Sequence, residues 1–354
     1  MKSLSAAELV AKIRQGEVVE NVNLQNISLT RQDLSGGIFK AVDFSGADLS
    51  HTQLKETVFT ECQCEETIFD SARLEQSVFE RSHLLRALFN KSHLASSVFN
   101  QCVLKKACFT ETKHNETQFI ASSLQDADFN RSECERVVFT DSDLQQAKFS
   151  HSHLSMVTFF QQDLRETDFF ANEFIKTVFF ECDLRARNFQ KQQMTACLFT
   201  GCQLEGSNFD HAGLENCNFS KAILQDAVLT NVNATQALFT DADMTRTCCS
   251  NSRFDQALFI GACLESADFR HSQLAQAIFH NVQAENSQFT GCEMPYADFS
   301  YANLNHSDFR TAHFMRTLFH RAQQTGTLFS DRRGILENDP ELFAAEEWSL
   351  QRKI

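Results

Sequence analysis

A large apolar residue returns at every fifth position from Leu24 to Phe329 without one insertion. That makes 62 pentads in unbroken register, and only His114 and Gln324 put a clearly polar side chain at the apolar place. A helix repeats every 3.6 residues and a strand every 2, so neither holds a period of five over this length. Such a repeat cannot bury its apolar face alone and must stack on its neighbours, which predicts a solenoid.

Counting from Asn21, the apolar residue is the fourth of each pentad. Within that place Phe and Leu alternate: 27 of the 30 positions from Phe39 to Phe329 that end in 9 are Phe, while those ending in 4 are mostly Leu. The second place is small, as at Ala47, Thr57, Cys62, Ala72, Ser77, Ala87, Ala127, Ala267 and Ala302. The first, third and fifth places are mainly polar. Each pentad therefore sends one large and one small residue inward and the other three toward water. The 35 Phe against 2 Tyr and 1 Trp fit one recurring slot that wants a ring and cannot satisfy a hydroxyl.

The pattern is similar to the pentapeptide-repeat signature A-(D/N)-(L/F)-x-x. It is literal at Ala47-Asp48-Leu49, Ala127-Asp128-Phe129, Ala242-Asp243-Met244, Ala267-Asp268-Phe269, Ala297-Asp298-Phe299 and Ala302-Asn303-Leu304. The resemblance implies an all-β repeat solenoid, a right-handed quadrilateral β-helix with four pentads per coil and about fifteen coils over residues 21–330. Residues twenty apart then stack. Phe59, Phe79, Phe99, Phe119, Phe139 and Phe159 form one ladder, Phe69 through Phe149 the opposite one, and Leu84 through Leu184 a face between. At sheet-like spacing the rod is about 75 Å long.

Solenoid ends must be covered. Ser5-Ala6-Ala7-Glu8 reads as a capping box opening a helix over residues 5–15, stopped at Gly16, within an N-terminal cap of residues 1–20. At the other end, in residues 331–354, Asp339-Pro340 reads as the start of a helix to about Lys353. Phe343, Leu350 and Ile354 share one of its faces and Trp348 points elsewhere. These four are candidates for a C-terminal contact. The helix reads either as a cap on the last coil or as a dimer or partner contact.

Residues 159–192 depart from the pattern. Phe160, Phe170 and Phe180 occupy the outward fifth place, and Ile120 lies on the Phe160/Phe180 ladder two coils earlier. Gln162, Asn172, Arg187 and Gln192 fill the small inward slot. A change of corner geometry accounts for these residues, and so does an exposed apolar patch for binding protein. Phe160, Phe170, Phe180 and Ile120 are the candidate interaction surface.

Chemical sites are not expected. His114 with Cys134 falls short of the four ligands of a zinc site, and His151, His153, Glu133 and Glu173 read as a solvated face. Cys182/Cys202 and Cys197/Cys217 are twenty apart, within disulfide reach, yet Ser and Ala fill the same slot elsewhere, so free thiols in a reducing, cytoplasmic compartment are expected. A convex rod offers no cleft for paired carboxylates, so neither an enzyme nor a cofactor is expected. No apolar stretch is long enough for a bilayer, and a net charge of −14 disfavours phosphate surfaces, so neither membrane nor nucleic acid is an expected partner.

What remains is a protein-binding rod. Some members of the family imitate DNA and bind type II topoisomerases. B-DNA carries a charge per ~1.7 Å, so a rod of about 75 Å would need roughly forty against this net −14. Leu4-Ser5-Ala6-Ala7-Glu8-Leu9 resembles the opening of bacterial members associated with type VI secretion, which implies a secretion-linked adaptor or a secreted effector as further readings.

Overall fold

The computed structural model of the chain describes residues 2–350, and the side chains of residues 3–349. The chain divides into two compact units between Cys182 and Asp183. Each is a parallel β-solenoid in which residue i pairs with residue i + 20, as in Phe59↔Phe79 and Phe139↔Phe159 of the first unit and Asn208↔Val228 of the second. Two families of backbone bonds join successive coils. A fourth-place N–H donates to a carbonyl nineteen residues ahead (Leu84 N to Val103 O, 2.7 Å), and a third-place N–H to one twenty-one behind (His83 N to Cys62 O, 2.9 Å).

The core follows from that register. Phe59, Phe79 and Phe99 stack nearly parallel with centroids 4.6 and 4.8 Å apart. Phe69, Phe89 and Phe109 stack opposite them at 4.8 Å. The two ladders meet edge to face, Phe59 against Phe69 at 86°, so the ring quadrupoles attract both along a ladder and across the coil. Second-place hydroxyls and thiols are not merely small. Thr67 Oγ1 donates to Phe44 O at 2.9 Å and Ser122 Oγ to Phe99 O at 3.2 Å, which satisfies buried polar groups between coils.

The first place carries a constraint that polarity does not reveal. Lys106, Arg131, Asp226, Tyr301 and nearly every other first-place residue between Asn21 and Arg321 sit at φ near +50 to +60°. This left-handed conformation turns each corner, and it disfavours β-branched residues. Among the non-glycine residues held there, Thr311 is the one with a branched Cβ.

Asp at the third place goes with a tight turn rather than a strand. Asp48 Oδ1 accepts the N–H of Ser50 at 2.9 Å, and Asp128, Asp268 and Asp308 repeat this bond to the residue two ahead. That local bond competes with extended backbone. Every three-residue strand among the described residues opens on another residue type, such as Val58, Val98, Glu133 or Thr158. β-branched Val and Ile, which favour extended backbone, open five of the six strands of this sheet from Ile38 to Val138, Gln118 being the exception. The result is a nine-stranded parallel sheet within the first unit, from Val19–Glu20 to Val178–Phe180.

Helix α1 (Ala6–Arg14) begins with the Ser5/Glu8 capping box and buries Leu9 completely. Helix α2 (Pro340–Leu350) begins at Asp339, whose Oδ1 accepts the N–H groups of Glu341 and Leu342, both at 3.0 Å. It lies against Tyr301, His320 and Arg321. At the end of the core, the Arg332 guanidinium covers the Phe329 ring at 4.1 Å.

Two predictions follow from the corners and the core. Phe129→Ala lowers the free energy of unfolding in urea by about 3–5 kcal/mol, while Lys106→Val, a branched side chain at φ +59°, lowers it by about 1–2 kcal/mol and Lys106→Gly does not. A third concerns acid. Hydrogen bonds from Ser35, Ser50 and Arg310 hold the Asp33, Asp48 and Asp308 carboxyls below their ordinary range, and those from Asn231 and Thr230 take Asp210 down to about 2. Lowered folded-state values mean stability present above the unfolded value near 3.9 and lost as pH falls through the folded ones. The urea midpoint therefore drops as pH goes from about 5 toward 2, and Asp48→Asn, which keeps an acceptor for Ser50, reduces the size of that drop.

Candidate functional site

The outer face of the nine-stranded sheet carries two side-by-side columns of side chains. One runs through the third places Ile38, Val58, Val78, Val98, Gln118, Val138, Thr158 and Val178. The other runs through the fifth places Lys40, Thr60, Glu80, Asn100, Ile120, Thr140, Phe160 and Phe180. In the last two strands Phe160 stacks on Phe180 at 5.4 Å and 6°, and Phe160 remains 37% exposed. Ile120 shares their column with Thr140 between.

Phe170 is not part of that surface. It lies ten residues, half a coil, from Phe160, so it belongs to the opposite side of the coil. Its carbonyl accepts the His151 N–H at 3.0 Å, and its ring, 67% exposed, meets the His151 ring edge-on. The four residues thus split into a column of three and one separate ring. Gln162 and Asn172 are buried beside opposite corners of the coil, and Gln162 Nε2 donates to the Phe160 carbonyl at 2.8 Å. The third place is mainly polar along the chain, and the Val/Ile column departs from that at six of the eight positions twenty apart from Ile38 to Val178.

At the C-terminus, α2 is held by a polar knot. Glu346 receives Tyr301 Oη, His320 Nε2 and Arg321 Nε, and Arg321 Nη2 reaches Glu347 at 2.7 Å. The Arg321 guanidinium also lies 4.6 Å above the Phe343 ring. His320 is fully buried, with Asp339 N–H donating to its Nδ1 at 3.2 Å, so the neutral tautomer donates from Nε2 to Glu346. A groove of about 580 Å³ runs along Tyr301, Arg321, Leu342, Ala345, Glu346 and Ser349. Phe343 is 37% and Trp348 58% exposed, while the Leu350 side chain and Ile354 lie outside the described residues.

The remaining candidates do not assemble into chemistry. His114 sits in the core with Nε2 2.8 Å from Thr112 Oγ1 and Nδ1 without a partner, and burial pushes its pKa down to about 3. Cys134 pairs with it one coil on, and burial pushes that thiol up to about 12. His153 Nδ1 lies 2.9 Å from Glu173 Oε2, whereas His151 turns to Phe170, so the two histidines diverge. Among the described residues no group of three or more His, Cys, Asp or Glu is placed to hold a metal ion. Cys62, Cys182, Cys197, Cys202 and Cys217 are buried free thiols, whereas Cys248 is exposed. Third-place aspartates such as Asp48 and Asp128 accept a backbone bond within their own pentads, and Asp268 and Asp308 also pair with Arg270 and Arg310 two residues on, at 2.7 and 2.6 Å, whereas Glu133 and Glu173 pair across coils with Lys113 and His153. No described helix is long and apolar enough to cross a membrane.

Comparison with known proteins accords with this architecture. No curated protein matches the chain. Among solved structures, HetL, a pentapeptide repeat protein involved in heterocyst differentiation regulation in the cyanobacterium Nostoc sp. strain PCC 7120, is 19% identical over 86% of this chain and 96% of its own, with a TM-score of 0.21. QnrB1, a plasmid-mediated fluoroquinolone resistance protein, is 15% identical over 75% of this chain and 96% of its own, with a TM-score of 0.23. A pentapeptide repeat protein of the Arabidopsis thaliana thylakoid lumen is 23% identical over 36% of this chain and 68% of its own, with a TM-score of 0.13. The pentapeptide-repeats model itself matches in eight copies, over residues 19–50, 38–76, 117–155, 193–226, 222–259, 257–294 and 292–331. With most of its length matched by that model, the chain belongs to the pentapeptide repeat family.

Proposed function

We propose that the protein is a non-catalytic binding scaffold that engages other proteins through the outer face of the first-unit sheet. The observation that carries this reading is the Phe160–Phe180 pair, two stacked rings in an outward column where most coils place a polar side chain. Stacked rings on a sheet surface bring a large apolar area at little entropic cost, because the backbone already holds them parallel. The aliphatic column from Val138 to Val178 widens the same surface. Helix α2 offers a second contact, since Leu342, Phe343 and Trp348 are exposed on an element tied down mainly by polar bonds.

A DNA-like surface is less favoured, because Arg pairs offset carboxylates such as Asp268 and Asp308 and the net charge of −14 falls far short of the roughly forty a DNA-like rod would carry. Thirteen cysteines without a disulfide suit a reducing compartment, which supports a cytoplasmic place of action. Residues 4–9 support a link to type VI secretion, which the genes flanking this one would test.

Capture from a bacterial lysate tests the scaffold reading, with wild type beside Phe160→Ser/Phe180→Ser and a truncation after Ser330. The sheet-face variant is expected to lose a partner that wild type and the truncation both retain. Retention of every partner by both variants would remove both surfaces from consideration.

A further inference from the structure

The corners that flank the Phe160–Phe180 face carry a charge pattern. On one edge the exposed first-place residues are Arg136, Met156 and Lys176, and on the other Asp141, Gln161 and Glu181. Lys176 has no ion pair among the described residues. Neither Asp141 nor Glu181 has a cationic partner; Glu181 only accepts a bond from Gln161 Nε2 at 2.8 Å. Arg136 is engaged with Glu116 and Glu135 at 3.1 and 2.5 Å on its own edge. One edge of the face therefore carries the unpaired cation Lys176 beside an Arg136 already held by Glu116 and Glu135, and the other carries Asp141 and Glu181, with a largely apolar strip of Val138, Thr158, Phe160, Val178 and Phe180 between.

We infer that this face pairs with the same face of a second copy of the chain, in parallel, about a two-fold axis running along the stacking direction. The inference rests on the scaffold reading of this face and names its partner. Such an axis sets each edge against the opposite edge of the second copy. Lys176 then meets Glu181 and Arg136 meets Asp141, each contact made twice, as an isologous interface requires. The Phe160 and Phe180 rings meet the Thr158 and Val178 column. The antiparallel alternative, centred on the Thr158–Phe160 strand, sets Lys176 against Arg136 and Glu181 against Asp141, so like charges oppose it. Farther toward the N-terminus the flanking corners are Glu56 and Glu61, both acidic. Opposite charges therefore flank only the Val138–Thr140 and Val178–Phe180 strands, on either side of the Phe160 strand.

The strip spans three strands, about 14 Å at sheet spacing, so it covers less area than a stable dimer uses and the association is weak. Sedimentation velocity at low salt, over roughly 5–300 µM, reads it in that concentration range. Wild type and the truncation after Ser330 are expected to shift toward dimer as concentration rises, and Phe160→Asp/Phe180→Asp to stay monomeric. Lys176→Glu and Glu181→Lys should each weaken association about tenfold, and the two combined in one chain should restore it. Wild type that stays monomeric throughout, or a double swap no better than the singles, overturns the pairing. A monomeric wild type whose captured partner is still lost in Phe160→Ser/Phe180→Ser would sink the self-pairing alone. Partner capture unaffected by that variant would sink the scaffold reading of this face instead.

Discussion

Everything in this fold hangs on the backbone bond between one coil and the next. The large inward residue of a pentad donates nineteen positions ahead, and the residue before it donates twenty-one positions back, so within each unit a coil is held to the coils beside it. The separation this imposes lies within the centroid spacing of offset-stacked aromatic rings. Core rings placed twenty residues apart therefore meet at 4.5 to 5.6 Å. Phe suits the slot better than Tyr, since a hydroxyl in the dry column would have no acceptor that the backbone has not already claimed.

The corners supply the opposing cost. A left-handed backbone at nearly every first place is a conformation that non-glycine residues avoid, and the chain adopts it dozens of times. It persists because the ladder on either side of each corner leaves no alternative. The Asp-to-backbone bond at the third place tightens many of these turns, and the nine-stranded sheet runs where Val, Ile or Thr mostly stands there instead, although Ile68, Val103 and Val228 keep the turn. The same residues that favour a flat sheet also make its outer surface apolar. Local backbone preference and the candidate binding face thus share one cause.

Much of this was legible in the chain. The period of five, its grouping by four and the Phe and Leu ladders follow from which residues recur, because inward positions tolerate few types. The corner conformation was not legible as polarity, since Lys, Asp, His and Tyr all occupy it; its signature is the near absence of branched residues at the first place. Phe170 could be read as a neighbour of Phe160 only by counting along the chain, whereas counting around the coil puts it on another side. The ties of α2 to Tyr301, His320 and Arg321 join residues 25 to 45 apart that lie outside any repeat, so no period announces them.

The stacking of like on like at every twentieth residue also governs how such a chain can change its length. Loss or gain of one pentad would turn all later pentads of that solenoid by a quarter of a coil, setting Phe columns over Leu columns and acidic turns over Val strands. Loss or gain of four together would leave every later side chain facing as before. The heritable brick of this protein is therefore the twenty-residue coil, and the five-residue motif is only its side.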